Sequence, residues 1–179
     1  MRTPLTVASA LAALTLTVPV AAQALMRVSV AAQVSMQVSV ADSISFSPPA
    51  GWRTAAAPFP YKLRCIAGPR DDQAATLSVQ ETISPLSVDR YVQKLLNTMT
   101  AAAPQTRLLS RGPFVTSSGL HGWRAAFDRV TPGLNVHFVL YAFPGAGHRK
   151  FLVAGLWPAA DTAKYEAAAD ASLKTFRRH

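Results

Sequence analysis

The sequence predicts an α+β domain: an α/β/α sandwich with a mainly antiparallel sheet and two principal helices. Short stretches in which apolar and polar residues alternate, a pattern typical of half-buried strands, lie on both sides of one strongly amphipathic segment. The later strand candidates are joined by short connections rich in Gly and Pro, which favours antiparallel neighbours over strands joined by crossover helices. Helices that lie between and after such blocks are expected to cover both faces of the sheet.

The strand candidates fall into two blocks, one before and one after the amphipathic segment. They are 43–47, 61–67, 75–83, 107–116, 123–130, 135–143 and 150–157. The turn-forming residues 68–72 separate the second candidate from the third, so these two predict a hairpin. Residues 34–40 also alternate without a fault and predict an edge strand.

Two segments have helical periodicity. The first begins at Ser84 or Ser87, either of which is a favourable N-cap, and Pro104 ends it. Its buried stripe is predicted to be Val88, Tyr91, Val92, Leu95, Leu96 and Met99. The second helix, capped by Asp161 or Thr162, is predicted to reach about Arg178. Its stripe is Tyr165, Ala169, Ser172, Leu173 and Phe176.

Residues 1–24 have the features of a signal peptide. Arg2 precedes an apolar run, Pro19 interrupts it, and Ala22-Gln23-Ala24 has the small-x-small pattern that signal peptidase accepts. A retained membrane anchor is the competing interpretation, because the run is nearly long enough to span a bilayer. Cleavage after Ala24 predicts an exported chain, periplasmic or secreted, without a later transmembrane segment.

A tandem duplication follows the predicted cleavage site. Residues 21–30 and 31–40 are identical at seven of ten positions. Two copies of so short a unit are too few for a solenoid, which needs at least three stacked repeats. We therefore expect a duplicated N-terminal extension at 25–41 and one folded domain at 42–179.

Composition limits the classes of protein to consider. The 179 residues include 18 Lys+Arg and 9 Asp+Glu, for a formal charge of +9, and a single Cys. One Cys excludes a disulfide framework and a Cys-based zinc site. A chain that is 50% hydrophobic and 15% charged is not wholly disordered. The excess of basic residues indicates anionic surroundings.

The basic residues occur in small groups that are candidate contacts for an anion or a partner. They are Arg107, Arg111, Arg149, Lys150, Arg177 and Arg178. The alternative is an ordinary solvated surface. No arginine-rich run or aromatic-basic stacking motif is present, so nucleic acid is not an expected partner. We expect a monomer.

The sequence predicts no catalytic, cofactor-binding or metal-binding residues. Cys65 is in phase with apolar neighbours and is expected to be buried, although a nucleophilic role stays open. His121, His137 and His148 with Asp128 are on separate segments without the spacing of metal ligands. No HExxH, G-x-S-x-G or phosphate-binding glycine loop occurs.

Several short motifs, taken in order, resemble those of the PsbP-like or Mog-like superfamily, in particular its exported, DcrB-like bacterial members. The motifs are Ile44 to Trp52 with its Pro-Pro-Ala-Gly corner, Ser87 to Tyr91, Gly119 to Arg124, and Tyr165 to Arg177. The resemblance covers about Asp42 to Arg178. It implies an α/β/α sandwich that binds partners without catalysis, and it supplies no catalytic residues.

These observations support one leading hypothesis and leave two alternatives open. The leading hypothesis is an exported, non-catalytic binding or accessory domain of the bacterial envelope, whose partner is an unknown envelope protein or an anionic surface. The first alternative is a small exported hydrolase or redox protein that uses Cys65. The second is an envelope component that binds anionic surfaces through Arg and Lys.

Overall fold

Strands and helices follow one another nearly as the sequence predicts. A computed structural model describes residues 37–40, 44–68, 75–131 and 134–179. The predicted signal peptide lies outside the described residues, as does the predicted extension apart from 37–40. The strands are β1 (Val38–Val40), β2 (Ile44–Phe46), β3 (Trp52–Ala55), β4 (Leu63–Ala67), β5 (Thr76–Ile83), β6 (Thr106–Val115), β7 (His121–Thr131), β8 (Leu134–Pro144), β9 (Arg149–Pro158) and β10 (Arg177–Arg178). The helices are α1 (Val88–Ala102), a short 3₁₀ helix (Ala159–Asp161) and α2 (Thr162–Lys174).

Seven strands form one antiparallel sheet in the order β3-β4-β5-β9-β8-β7-β6. The predicted hairpin is present, since Cys65 of β4 lies opposite Leu77 of β5. Strands β5 and β9 are neighbours although α1 and three strands separate them in sequence, and their pairing joins the two blocks. A second, three-stranded sheet has the order β1-β2-β10.

One helix covers each face of the seven-stranded sheet, which confirms the predicted sandwich. Val92 and Leu96 of α1 pack on a face formed by Ala125, Phe127, Leu140, Ala142 and Leu152. Ala169 and Leu173 of α2 pack on the other face, which contains Val139, Tyr141, Val153 and Trp157. Both stripes have the 3.6-residue spacing that brings apolar side chains to one side of a helix.

The helix ends differ in part from the sequence prediction. Ser87, the extended residue before α1, is the N-cap, which decides between the two serines. Helix α2 ends at Lys174, before the predicted end near Arg178. The Thr175 hydroxyl donates to the carbonyl of Ser172 and accepts from the amide of Ser47, both at 2.7 Å. The chain then leaves the helix, Phe176 enters the core, and β10 pairs with β2.

Gly122 allows the start of β7 to approach β8 closely. A Cβ at this position would lie 2.5 Å from the carbonyl oxygen of Ala142 and 2.6 Å from the ring of Phe143. Real Cβ atoms do not approach a backbone oxygen so closely, so only glycine fits here without a shift of the strands. Gly122, the second glycine of the motif Gly119 to Arg124, is thus required for packing.

In the parts of the chain that the structure describes, neither helix has the length and apolar character that a membrane crossing requires.

Candidate functional site

Charged side chains meet beneath α2, where the helix lies over β7 and β8. Glu166 and Asp170 are four residues apart on α2, so they occupy the same side of the helix. Antiparallel pairing places Arg124 of β7 opposite Tyr141 of β8, and Asp128 opposite His137. The helix spacing and the strand register together form a polar network, which consists of Arg124, Asp128, His137, Tyr141, Glu166 and Asp170.

Arg124 is the centre of the network. Its Nε donates to Oδ1 of Asp170 at 2.9 Å, and another of its nitrogens donates to Glu166. The Tyr141 hydroxyl donates to the same Asp170 oxygen at 2.5 Å. Burial by itself lowers the pKa of the Arg124 guanidinium, but the Asp170 carboxylate and the other partners raise that pKa above its ordinary value. Burial, followed by the bond to Asp170, raises the pKa of Tyr141.

His137 occupies the inner end of the network. Its Nδ1 lies 2.7 Å from Oδ1 of Asp128, and its Nε2 lies 3.6 Å from Oε2 of Glu166 without a hydrogen bond. A histidine between two carboxylates is a familiar arrangement for general base catalysis. However, this side chain is only 2% exposed, and its ring stacks on Trp157. Nε2 is buried beneath α2, so a substrate has no access to it in this structure. The hydrogen bonds of the network instead hold α2 against the sheet.

Cys65 is in the core and not at a surface. It is fully buried between the sheet and α2, and burial raises the pKa of its thiol from 9.0 to about 12. A nucleophilic cysteine needs the thiolate form and access to its substrate. The structure therefore argues against the hydrolase or redox hypothesis that depends on Cys65, and it supports the expectation that this residue is buried.

The histidines that the sequence singled out lie in different environments. His121 and His148 are exposed, whereas His137 is buried. Of His121, His137, His148 and Asp128, only His137 and Asp128 contact each other. Among the described residues, no three His, Cys, Asp or Glu side chains are placed to hold a metal ion.

Arg107 and Arg111 lie on opposite faces of β6. Arg107 is opposite Asp128, with its guanidinium 3.4 Å from that carboxylate, whereas Arg111 is opposite Ala125 on the α1 face. Four residues of regular strand would put both arginines on one face. A register shift between Leu108 and Ser110 reverses the alternation and separates them.

Three of the other candidate contacts, Arg149, Lys150 and Arg178, lie near the β8–β9 turn, whereas Arg177 is exposed on β10 opposite Ser45 of β2. Arg178 donates to the carbonyl of Gly145 at 3.2 Å, and Gly145 in turn bonds to the backbone of Arg149. The Arg149 guanidinium lies 3.3 Å from Glu81. Lys150 is only 4% exposed, and its ammonium donates to the carbonyl of Ser84 at 2.6 Å. A surface contact by Lys150 would require this buried bond to break.

An open cleft lies on the other face, between α1 and the strands β6 and β7. It has a volume of about 280 Å³. Its lining includes Asp89, Arg90, Val92, Gln93, Leu96, Arg111 and Trp123. A hollow of about 90 Å³ continues from it, shares Gln93, Leu96 and Arg111, and adds Met99, Leu108 and Phe127.

The polar side of α1 therefore forms a wall of this cleft. Arg111 donates to Oε1 of Gln93, which connects β6 to the helix. A hydrogen bond from Ser87 lowers the pKa of Asp89, which keeps this carboxylate ionised in the cleft. The sequence pattern indicates only that Asp89, Arg90 and Gln93 are opposite the buried stripe. The sequence pattern does not indicate that β6 lies beside these residues.

Comparisons with known proteins agree on the fold. No protein-family profile and no curated protein sequence matches the chain. Among solved structures, the cyanobacterial PsbP of Synechocystis is 12% identical with a TM-score of 0.62, covering 86% of this chain and 99% of that one. LpqN of Mycobacterium tuberculosis, described as involved in cell envelope biogenesis, is 13% identical with a TM-score of 0.59, covering 75% and 82%. The Ran-binding protein Mog1p of Saccharomyces cerevisiae is 11% identical with a TM-score of 0.54, covering 79% and 94%.

Identities this low establish the fold alone, because chains of one fold carry unrelated functions. The motifs in the sequence and the likeness to three solved structures point to the same architecture. The chain has the PsbP-like or Mog-like fold.

Proposed function

We propose that the chain is a non-catalytic binding or accessory domain of the bacterial envelope, exported to the periplasm or the outside, which holds a protein partner at the cleft between α1 and β6. One observation carries this proposal. The cleft is open and joins an exposed strand, whereas His137, the side chain with catalytic potential, is buried beneath α2.

The composition of the cleft suits a protein surface. Its floor is apolar at Val92, Leu96 and Trp123, and charged side chains surround that floor. Protein interfaces commonly combine a desolvated apolar centre that includes an aromatic residue with a polar rim. Two neighbours of the same fold are described in terms that suit such a role, since Mog1p binds Ran and LpqN acts in envelope biogenesis.

The predicted signal peptide supports export. Its removal would expose residue 25 as the new N-terminus, which N-terminal sequencing of the protein from the envelope fraction can detect. Recovery of the protein from the cytoplasm alone, with Met1 intact and no processed form in the envelope fraction, would contradict the exported location.

Site-specific photocrosslinking tests the position of the binding surface. A photoreactive amino acid replaces Leu109 on β6 in one variant and Ile83 at the end of β5 in another. Both side chains are exposed, so neither change should disturb the core. We expect crosslinking in intact cells to give a discrete product from position 109 and none from position 83. Equal products from both positions, or a product from 83 alone, would contradict a partner at the cleft.

An anionic lipid surface is the competing partner for the basic residues. Attraction to anionic lipid falls steeply as salt rises, since the charges involved are exposed. Salt-sensitive flotation with phosphatidylglycerol vesicles, without any protein crosslink at position 109, would favour the lipid-binding alternative over the present proposal.

A further inference from the structure

We propose that the partner binds as an extended, acidic segment that adds a strand to the outer edge of β6. This inference rests on the proposed binding function and names the chemistry of the partner at the same site. The feature that carries this inference is strand β6, which, in the part of the chain that the structure describes, has a neighbouring strand on one side only.

Strand β6 is the last strand of the seven-stranded sheet and pairs with β7 alone. It has ten residues, whereas β3 at the opposite edge has four. Alternate backbone N–H and C=O groups along its outer side therefore have no strand partner among the described residues. Such an edge is a template for the backbone of another extended chain.

Apolar side chains accompany this backbone edge. Leu108 is 46% exposed and Leu109 is 44% exposed, next to each other at the register shift. Leu108 also borders the hollow that Met99 and Phe127 line. An incoming strand directs alternate side chains toward this hollow, where an apolar residue would be removed from water.

The charges beside the edge select an acidic strand. Arg111 donates to the neutral amide of Gln93, and the Asp89 carboxylate, which lines the same cleft, makes no ion pair with Arg111. Arg107 is highly exposed, and its 3.4 Å ion pair with Asp128 is weak because the guanidinium is in water. Arg107 and Arg111 lie on opposite faces of β6, so an added strand that carries carboxylates on both of its faces would pair with both arginines across the new ladder.

The same charges disfavour a second copy of this chain. Two β6 strands that paired antiparallel would bring Arg107 of both copies to one face of the new pair and Arg111 of both copies to the other face. Like charges brought together across a strand pair disfavour the pairing. Pro113, which lacks an N–H, further limits the usable edge to its first part. These features are typical of natural edges that avoid self-association.

Peptide binding tests the proposal directly. The probe, called the Glu-Val peptide, is a fluorescent, end-capped peptide of two Glu-Glu-Val-Val repeats, so that each face of the extended strand carries both Glu and Val. Its controls are a Lys-Val peptide, in which Lys replaces every Glu, and the Glu-Val peptide with alternate amides N-methylated. We expect only the unmodified Glu-Val peptide to bind, with affinity falling about tenfold or more on N-methylation, since methylation removes the backbone donors of one edge. Equal binding of the methylated peptide would refute strand addition.

Two matched variants locate the contact. Arg111→Glu reverses a charge on β6, and Arg53→Glu reverses one on β3, at the opposite edge of the sheet. Both residues are exposed, and circular dichroism will verify the fold of each variant. We expect a loss of about tenfold or more in peptide affinity for Arg111→Glu and little change for Arg53→Glu. Equal losses would indicate general attraction to basic charge and overturn the assigned edge.

The two proposals can fail separately. A protein crosslink at position 109 without binding of the acidic peptide would refute strand addition and keep the binding function. Failure of both experiments would refute the site itself. Retention on phosphatidylglycerol vesicles that Arg111→Glu abolishes, without peptide binding, would mean that a lipid surface occupies the edge, which contradicts the protein segment proposed here.

Discussion

Replacing Phe176 with alanine should destabilise the domain severely, because this ring joins the end of α2 to both sheets. Phe176 is fully buried. Its ring stacks on Phe143 of the main sheet with centroids 4.2 Å apart, and it lies 6.2 Å from Phe46 of the small sheet. Alanine would leave a cavity among aromatic side chains that β-strand backbones hold in place.

The expected loss follows from burial and stacking. A fully buried Phe→Ala change costs about 3–5 kcal/mol. Stacked aromatic pairs contribute about 0.5–1.5 kcal/mol beyond the area they bury, which favours the middle of that range or above. We expect a loss of about 4 kcal/mol in the free energy of unfolding. For a domain of this size the corresponding fall in Tm is roughly 10 °C.

Urea denaturation followed by tryptophan fluorescence measures this loss. Ile83→Ala is the control, since it also removes an apolar side chain but from a residue that is 76% exposed. We expect the control to change stability by less than about 0.5 kcal/mol. A loss below about 1 kcal/mol for Phe176→Ala, or equal losses for the two variants, would refute the placement of this ring as the closure of the core.

Three further predictions concern backbone packing, the polar network and the thiol. Gly122→Ala should cost about 1–3 kcal/mol in urea denaturation because its Cβ would meet a backbone oxygen, whereas Gly112→Ala, with no atom within 4 Å of its Cβ, should change stability little. Arg124→Met should lower the free energy of unfolding by about 2 kcal/mol, which is less than for a fully buried pair because the carboxylates are partly exposed. Adding Asp170→Asn should restore part of that stability. A double variant no more stable than Arg124→Met would contradict the pairing. Cys65 should not react with a thiol-specific dye until the protein unfolds. Its pKa is 9.0 in the unfolded chain and about 12 in the folded protein, so above pH 9 the unfolded state loses its proton first. Stability should therefore fall with rising pH between 9 and 12, more steeply than in Cys65→Ala, and identical slopes would contradict the burial of this thiol.

Periodicity predicted the elements of the fold well, because it reflects local geometry. The stripe of α1 and the alternation in the later strands describe faces that must be buried, and each short turn restricts its strands to be neighbours. Local patterns could not predict β10, whose two residues pair only because β2 is already in place. Nor could they predict the early end of α2, where the Thr175 hydroxyl accepts a hydrogen bond from the amide of Ser47, distant in sequence.

Sequence alone predicted less of the candidate site. It identified Arg107 and Arg111 as possible contacts, but a register shift placed them on opposite faces of β6. It also included Lys150, whose ammonium is bonded inside the protein. Whether a charged side chain is free depends on residues far away in the chain, and no spacing rule gives that information.

The sequence by itself determined the layers of this protein, because apolar spacing decides which side of each helix and strand must leave water. Its motifs also indicated the PsbP-like or Mog-like fold, which the likeness to solved structures confirms. Only the tertiary structure decided that His137 is buried beneath α2 and that the cleft beside β6 is open. Access and edge exposure arise when segments distant in sequence pack together, so no local pattern contains them.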